Sequence, residues 1–227
     1  MNPNTSHTST DVTHSGPTPK PDLTVIIPAL NEPHTLEALL GDLGAQTGLR
    51  LDILVADGGS DTTTINILKK HDIRRIKSPP GRGRQMNRAA QKARGTMLLF
   101  LHADSRITRP DLLAEAMAQY RKVEAQRGFD RLAGHFPLRF ATRQQPPHPA
   151  YRFYERKTTL NRPQVINGDQ GMLISRRFFY ELGMFDASLP FMEDQKMAAH
   201  IFERGEWITL PGHLHTSARR FEEEGLA

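Results

Sequence analysis

From residue 23 onward the chain alternates short apolar runs with stretches of helical spacing. Residues 23–28 (LTVIIP) are a β-branched block ended by proline and read as a buried strand. Residues 33–46 set Leu36, Leu39, Leu40 and Leu43 on one helical face. A second strand follows at residues 51–56 (LDILVA). A helix capped by Ser60 or Asp61 then runs to about His71. Residues 73–77 predict a third strand, 84–94 a helix, and 96–101 (TMLLFL) a fourth, buried strand. Strand and helix thus alternate four times, which implies right-handed crossovers and a parallel, doubly wound α/β sheet. In such sheets ligands gather beyond the carboxyl ends of the strands.

The second half is less regular. A helix is expected over residues 110–125, strand-like structure over 132–140, and a proline-rich linker over 144–149. A short strand at 172–175 leads into a turn of helix, and a further helix covers 194–204. The stretch after Gly212 shows no period. Residues 1–21 are rich in Thr, Ser, His, Asn and Pro and read as a disordered tail, leaving one domain over 22–227. Within it, residues 22–108 are expected to form one half, carrying the regular alternation, and residues 109–227 the other.

Composition narrows the chemistry. There is no cysteine in the 227 residues, so disulfides, thiolate metal sites and cysteine nucleophiles are excluded. A metal would need oxygen or imidazole donors, which suits Mg²⁺ or Mn²⁺. The net charge of +5 fits an anionic ligand or surface. Aromatics are not interleaved with the basic clusters, which argues against a nucleic-acid partner. The amino-terminal stretch lacks the charged start and apolar run of a secretory signal, and nothing in the sequence reads as a membrane span. A cytoplasmic protein is expected, with peripheral contact at the inner membrane left open.

Candidate chemistry falls at the predicted strand ends. Asp57-Gly58-Gly59-Ser60-Asp61 joins a strand-tip acid to a tight turn, and Asp57 can accept from a base or ribose; a capped turn is the plainer alternative. Pro28-Ala29-Leu30-Asn31-Glu32 reads as a nucleotide loop or as a carboxylate favoured by a helix start. Gly81-Arg82-Gly83-Arg84-Gln85-Met86-Asn87 reads as a phosphate cradle or a solvated basic turn. His102 and Asp104, two apart on an extended segment, can hold a divalent cation, or serve as a surface His with a capping Asp. Glu193-Asp194 can supply a general base or cap a helix. Gly168-Asp169-Gln170-Gly171 is a polar turn. His215 can complete a metal site, and Arg219 and Arg220 can neutralise a diphosphate or form a basic tail.

In this order VIIPALNE, VADGGSDTT, GRGRQMN, LLFLHADS, INGDQGMLISRRFF, MEDQKMAAHIFERG and HTSARRFEEEG resemble family 2 glycosyltransferases of the GT-A fold. More narrowly they resemble a small bacterial subgroup named for arsenosugar biosynthesis. The resemblance implies inverting transfer of a sugar from a UDP- or GDP-sugar to an acceptor hydroxyl. It matches Asp57 to the nucleotide, Pro28 and Glu32 to the first nucleotide loop, and Arg84 and Asn87 to further donor contacts. Asp104 matches the last acid of a DXD-type metal motif, with His102 where many members carry Asp. Asp194 matches the catalytic base with Glu193 alongside. Asp169 and Gln170 match the acceptor-side turn, and Arg219 and Arg220 the diphosphate pair. The metal set so implied is Asp104, His102 and His215. A nucleotidyltransferase and a non-catalytic sugar-nucleotide-binding protein are the competing readings; PALNEP after the first strand lacks the glycine-rich basic loop that the former needs.

Overall fold

The computed structural model describes residues 19–141 and 148–218. Most of the expected amino-terminal tail, most of the proline-rich linker, and Arg219 and Arg220 lie outside the described residues.

Seven strands form one sheet in the order β3 (Arg74–Lys77), β2 (Leu51–Asp57), β1 (Leu23–Ala29), β4 (Met97–Phe100), β7 (Met172–Ser175), β5 (Leu132–His135) and β8 (Glu206–Thr209). All neighbours pair parallel except β7, which runs antiparallel to both β4 and β5. The mostly parallel sheet expected from the alternation therefore holds, with one reversed strand. β6 (Leu138–Ala141) and β9 (Leu214–Ser217) make a separate parallel ribbon. The single strand expected over 132–140 is thus two strands in different sheets. β8 and β9 have no counterpart among the elements that the sequence predicts.

The strands are buried on both faces because each side of the sheet carries helices. Val25, Ile27, Val55 and Leu99 point into one core with Leu36, Leu39 and Leu40 of α1 (Pro33–Gly44) and Leu113, Met117 and Tyr120 of α4 (Leu112–Arg127). Ile26, Leu54, Leu98 and Phe100 alternate into the other. There they meet Met86 and Ala89 of α3 (Arg82–Ala90), Phe178 of α6 (Arg176–Glu181) and Met197 of α7 (Glu193–Arg204). This is the period-two alternation of a strand serving two layers. Each fully enclosed Leu, Ile or Phe contributes about 1.5–3 kcal/mol. α2 (Thr62–Lys70) lies beside α1, and α5 (Pro149–Lys157) lies on β6.

Pro28 sits inside a central strand without penalty. Leu101 N–H donates to Ile26 O, so even positions of β1 face β4, and their pairing stops at Ile26–Phe100. Pro28 is the next position facing that way and has no ladder bond to lose. Its burial makes it part of the rim's frame, and it is enclosed rather than displayed.

Candidate active site

Six of the seven strands direct their carboxyl ends to one edge, where the candidate residues collect. Asp57, at the tip of β2, is 1% exposed. Its Oδ1 accepts from Gly59 N–H (3.2 Å) and Ser60 N–H (2.7 Å), and its Oδ2 accepts from Arg75 Nε (2.8 Å) and Arg75 Nη2. Burial raises the Asp57 pKa, but the Ser60 and Arg75 hydrogen bonds outweigh it and hold the carboxyl below the usual range. A carboxylate offers about four acceptor positions, and protein donors fill them. The structure therefore gives Asp57 the task of holding the Gly58–Gly59 turn and orienting Arg75. Gly59 takes φ 106°, open to glycine alone at little cost. Asp61 caps α2 through Thr64 N–H (2.9 Å), while the Ser60 hydroxyl accepts from Asn31 N–H (3.1 Å) and ties the first two loops together.

The GRGRQMN segment begins its helix at Arg82, two residues earlier than expected, which rotates its side chains into different roles. Gln85 is buried and donates through Nε2 to Ala29 O (3.0 Å) and Ala56 O (2.7 Å), clamping the tips of β1 and β2. Asn87 exchanges hydrogen bonds with the Phe185 backbone (2.8 and 3.0 Å), and Arg84 reaches only Ala187 O at 3.5 Å. Asn87 is thus engaged with the turn before α7, while the exposed Arg84 keeps most of its donors. The cation at the cleft is Arg82. Its Nε lies 3.1 Å from Glu193 Oε1, and its charge acts on both Glu32 and His102. Sequence reasoning missed Arg82 because the start of α3 was set one half-turn late. Glu193 is 1% exposed, so its carboxylate is enclosed beneath the rim, beside Arg82.

His102 and Asp169 meet across β4 and the 3-10 turn Gly168–Gln170, with Nδ1 2.9 Å from Oδ1. Burial lowers the His102 pKa, but the hydrogen bond and charge of Asp169 prevail and raise it. Beside this pair, Gly168 N–H donates to Asp194 Oδ2 at 2.5 Å, and Gln195 N–H donates to Oδ1 at 2.8 Å. A methyl placed on Gly168 would stand 2.5 Å from His102 Nε2 and 2.8 Å from Asp194 Oδ2, so only glycine fits between them. A pocket lined by His102, Gly168, Asp194, Asn167, Met172 and Phe185 opens here. Asp104 and Glu32 adjoin it: the Glu32 carboxyl is pushed up by desolvation and then by Asp104. The half-buried Asp104 receives no hydrogen bond or ion pair from any described residue.

Two expected contacts fail. Gln170 is fully buried, with Nε2 donating to His135 Nδ1 (2.9 Å) and Thr158 O (3.0 Å), so it braces the turn from behind and cannot face an acceptor. His215 belongs to the β9 side of the molecule, where its backbone pairs with Arg106 and its Nε2 lies 3.5 Å from Thr108 Oγ1. Among the described residues no three His, Asp or Glu side chains are arranged to hold a metal ion. His102 meets the Asp169 carboxylate through Nδ1, an arrangement that orients the ring and leaves Nε2 as its other nitrogen toward Gly168. The expected trio reduces to His102 and Asp104, and the open carboxylate of Asp104 fits a hard cation that takes its other ligands from phosphate and water.

A family model described as Glycosyl transferase family 2 matches residues 24–183, from β1 past the Gly168 turn. The chain belongs to glycosyl transferase family 2. Asp194 lies beyond the span matched to the family 2 model. The PGL/p-HBAD biosynthesis glycosyltransferase of Mycobacterium tuberculosis (strain ATCC 25618 / H37Rv) is 34% identical over 105 residues, which is 43% of this chain and 41% of that protein. Among solved structures, S. aureus TarS 1-349 in complex with UDP aligns with a TM-score of 0.66 at 16% identity, over 89% of this chain and 62% of that one. The mannosyltransferase PcManGT from Pyrobaculum calidifontis, in complex with GDP-Man and Mn²⁺, aligns with a TM-score of 0.65 at 21% identity, over 87% and 57%. These likenesses show the GT-A fold for this family 2 chain, which spans less than half the length of the curated relative.

Proposed function

We propose that this family 2 chain transfers a sugar from a nucleoside diphosphate sugar to an acceptor hydroxyl with inversion, and that Asp194 is the base. The observation that carries this reading is the Asp194 carboxylate at the pocket. Each of its oxygens is fixed by one backbone N–H and keeps acceptor capacity for a substrate hydroxyl. In a single displacement the acceptor oxygen bonds to the anomeric carbon as its proton passes to Asp194. The bond from that carbon to phosphate breaks, and its electron pair leaves with the nucleoside diphosphate.

The donor lies over the carboxyl ends of β1, β2 and β4. Asp57 and Gln85 hold the two loops that flank the nucleotide, and Arg82 offers a guanidinium to the diphosphate where negative charge develops. Asp104 would hold Mg²⁺ or Mn²⁺ together with phosphate oxygens; when bound, the ion stabilises the departing diphosphate. His102 is a second cation at this rim when protonated, set by Asp169. Support for a nucleotide-sugar donor comes from family membership and from the UDP and GDP-Man held by TarS and PcManGT. A calorimetric and mass-spectrometric screen over UDP- and GDP-sugars, with and without Mn²⁺, tests the reading. Binding of one donor with slow release of free sugar is expected, and indifference to every nucleotide would overturn it.

A further inference from the structure

α5 begins where the sequence predicts the end of a proline-rich linker, and its amphipathicity is unusual. At 100° per residue, Tyr151, Glu155 and Thr158 share one side. Tyr151 stacks near Phe140 (5.5 Å between centroids), Glu155 takes Arg139 (2.6 Å) and Phe140 N–H (3.0 Å), and Thr158 Oγ1 accepts from Leu138 N–H (2.9 Å). That side is fully engaged by β6. The same spacing puts Arg152, Phe153, Arg156 and Lys157 within a single arc on the opposite side, and Leu160 follows in the turn just past the helix. Phe153 is 60% exposed and Leu160 is 40% exposed.

The outer arc is also cationic. Arg50, Arg106, Arg109 and Arg139 are each paired with a carboxylate. Arg152, Arg156 and Lys157 have no carboxylate partner among the described residues; Lys157 Nζ instead lies over the Phe153 and Tyr154 rings at 5.2 and 5.8 Å. The one acid of the helix, Glu155, is turned inward. An outward face of three cations without a carboxylate partner, around an exposed phenyl ring and an aliphatic side chain, is complementary to an anionic bilayer surface. The cations meet headgroups and the apolar groups sink to the acyl boundary. Leu160 favours a bilayer over a nucleic acid, because an aliphatic side chain offers a base no stacking surface.

We propose that α5 is a docking face for an anionic lipid bilayer. No helix among the described residues is long and apolar enough to cross a membrane, so the contact is peripheral. The helix is coupled to the candidate active site: Gln170 donates to Thr158 O just past the end of α5, and Asn161 Oδ1 lies 2.6 Å from His135 Nε2, whose other nitrogen takes Gln170. Docking would therefore hold the Gly168–Gln170 turn at a fixed height above the surface. What docking serves rests on the proposed transferase reading; the docking itself does not.

The test is sedimentation of the full chain with vesicles of phosphatidylcholine alone and of phosphatidylcholine with 30% phosphatidylserine, roughly the regime where each basic residue near the surface counts about fivefold. Binding is expected only to the anionic vesicles. A triple R152E/R156E/K157E variant should bind about a hundredfold more weakly, and high salt should release the wild type. Phe153→Trp should show a blue-shifted emission on those vesicles, against the buried Trp207 as constant background. A thermal melt and far-UV circular dichroism, measured on every variant, should not change and report that the fold is intact. Four outcomes would each overturn the proposal: equal binding to neutral vesicles, wild-type binding by the triple variant, an unshifted emission from the Phe153→Trp variant, or binding to single-stranded nucleic acid in place of vesicles. None of these readouts requires sugar transfer, so a failure of the transferase reading is seen separately.

Discussion

Gly168 and Asp194 are joined by a 2.5 Å hydrogen bond from the glycine N–H to carboxylate Oδ2, and the glycine Cα faces His102. The contact fixes the carboxylate at a distance that leaves no room for a side chain. Gly168→Ala should therefore displace His102 or Asp194 and lower kcat by about 10² or more, since misplacing a reacting group by an ångström costs on that order. Steady-state kinetics with a thermal melt checks this. The expected pattern is a large kcat loss with a shift in Tm of only a few degrees.

Asp194→Asn keeps the size, accepts from only one of the two backbone N–H groups, and removes the proton acceptor. Turnover should fall by about 10²–10⁴, the usual range for loss of a general base, while the donor Kd measured by calorimetry stays within about twofold. Turnover near that of the wild type would take the base role from Asp194.

Asp104→Asn removes the open carboxylate beside Glu32. The expected result is that far more Mn²⁺ is needed for half-maximal rate, with the maximal rate itself also reduced. Titrating activity against Mn²⁺ after chelation separates this from a folding defect. A rate unmoved by chelation in both proteins would remove the metal from the mechanism.

Asp57→Ala strips four hydrogen bonds from the β2 tip and leaves Arg75 without its partner. Breaking such a buried pair costs about 3 kcal/mol, and Arg75 is accessible enough for water to recover part of it. In a chain of this size that is a fall of roughly 6–10 °C in Tm. Nucleotide affinity should weaken as well, because the Gly58–Gly59 turn loses its anchor.

His135 supplies a pH test. Burial first of all holds its pKa below 6.5, and it stays neutral between Gln170 and Asn161. The unfolded chain takes up that proton more readily than the native one. The stability that His135 contributes is thus complete above about pH 6.5 and is lost as pH falls through the lower, folded value. The difference in denaturant midpoint between wild type and His135→Gln should shrink as pH falls from about 7 to about 5.

The first four strands and their helices were legible because each carries an apolar run long enough to be buried on both faces, bounded by Gly, Pro or an N-cap. The four-residue strands β8 and β9 were not: EWIT and LHTS have no alternation, and only pairing with β5 and β6 makes them strands. α5 was masked by the prolines that precede it, although Pro149 stands in its first turn where proline is well tolerated. At the site, acids were easy to find, but their partners were not. Nothing local in the sequence says that Arg75 fills Asp57, that Gln170 faces inward, or that Arg82 and not Arg84 looks into the cleft. Those assignments depend on helix phase and on contacts between residues far apart in the chain.

β7 is the one strand that runs against the rest, and its ladder with β4 pairs Phe100 with Met172. Because the two strands are antiparallel, the residues that leave β4 and those that approach β7 travel along the same line in opposite senses. His102 and the Gly168–Gln170 turn are delivered to each other by counting outward from that one pair. The His102 rim and the Gly168–Gln170 turn are therefore graduations on a single ruler, set by one strand register. A one-residue deletion in β7 would shift the Gly168–Gln170 turn against His102 without removing any residue of the site.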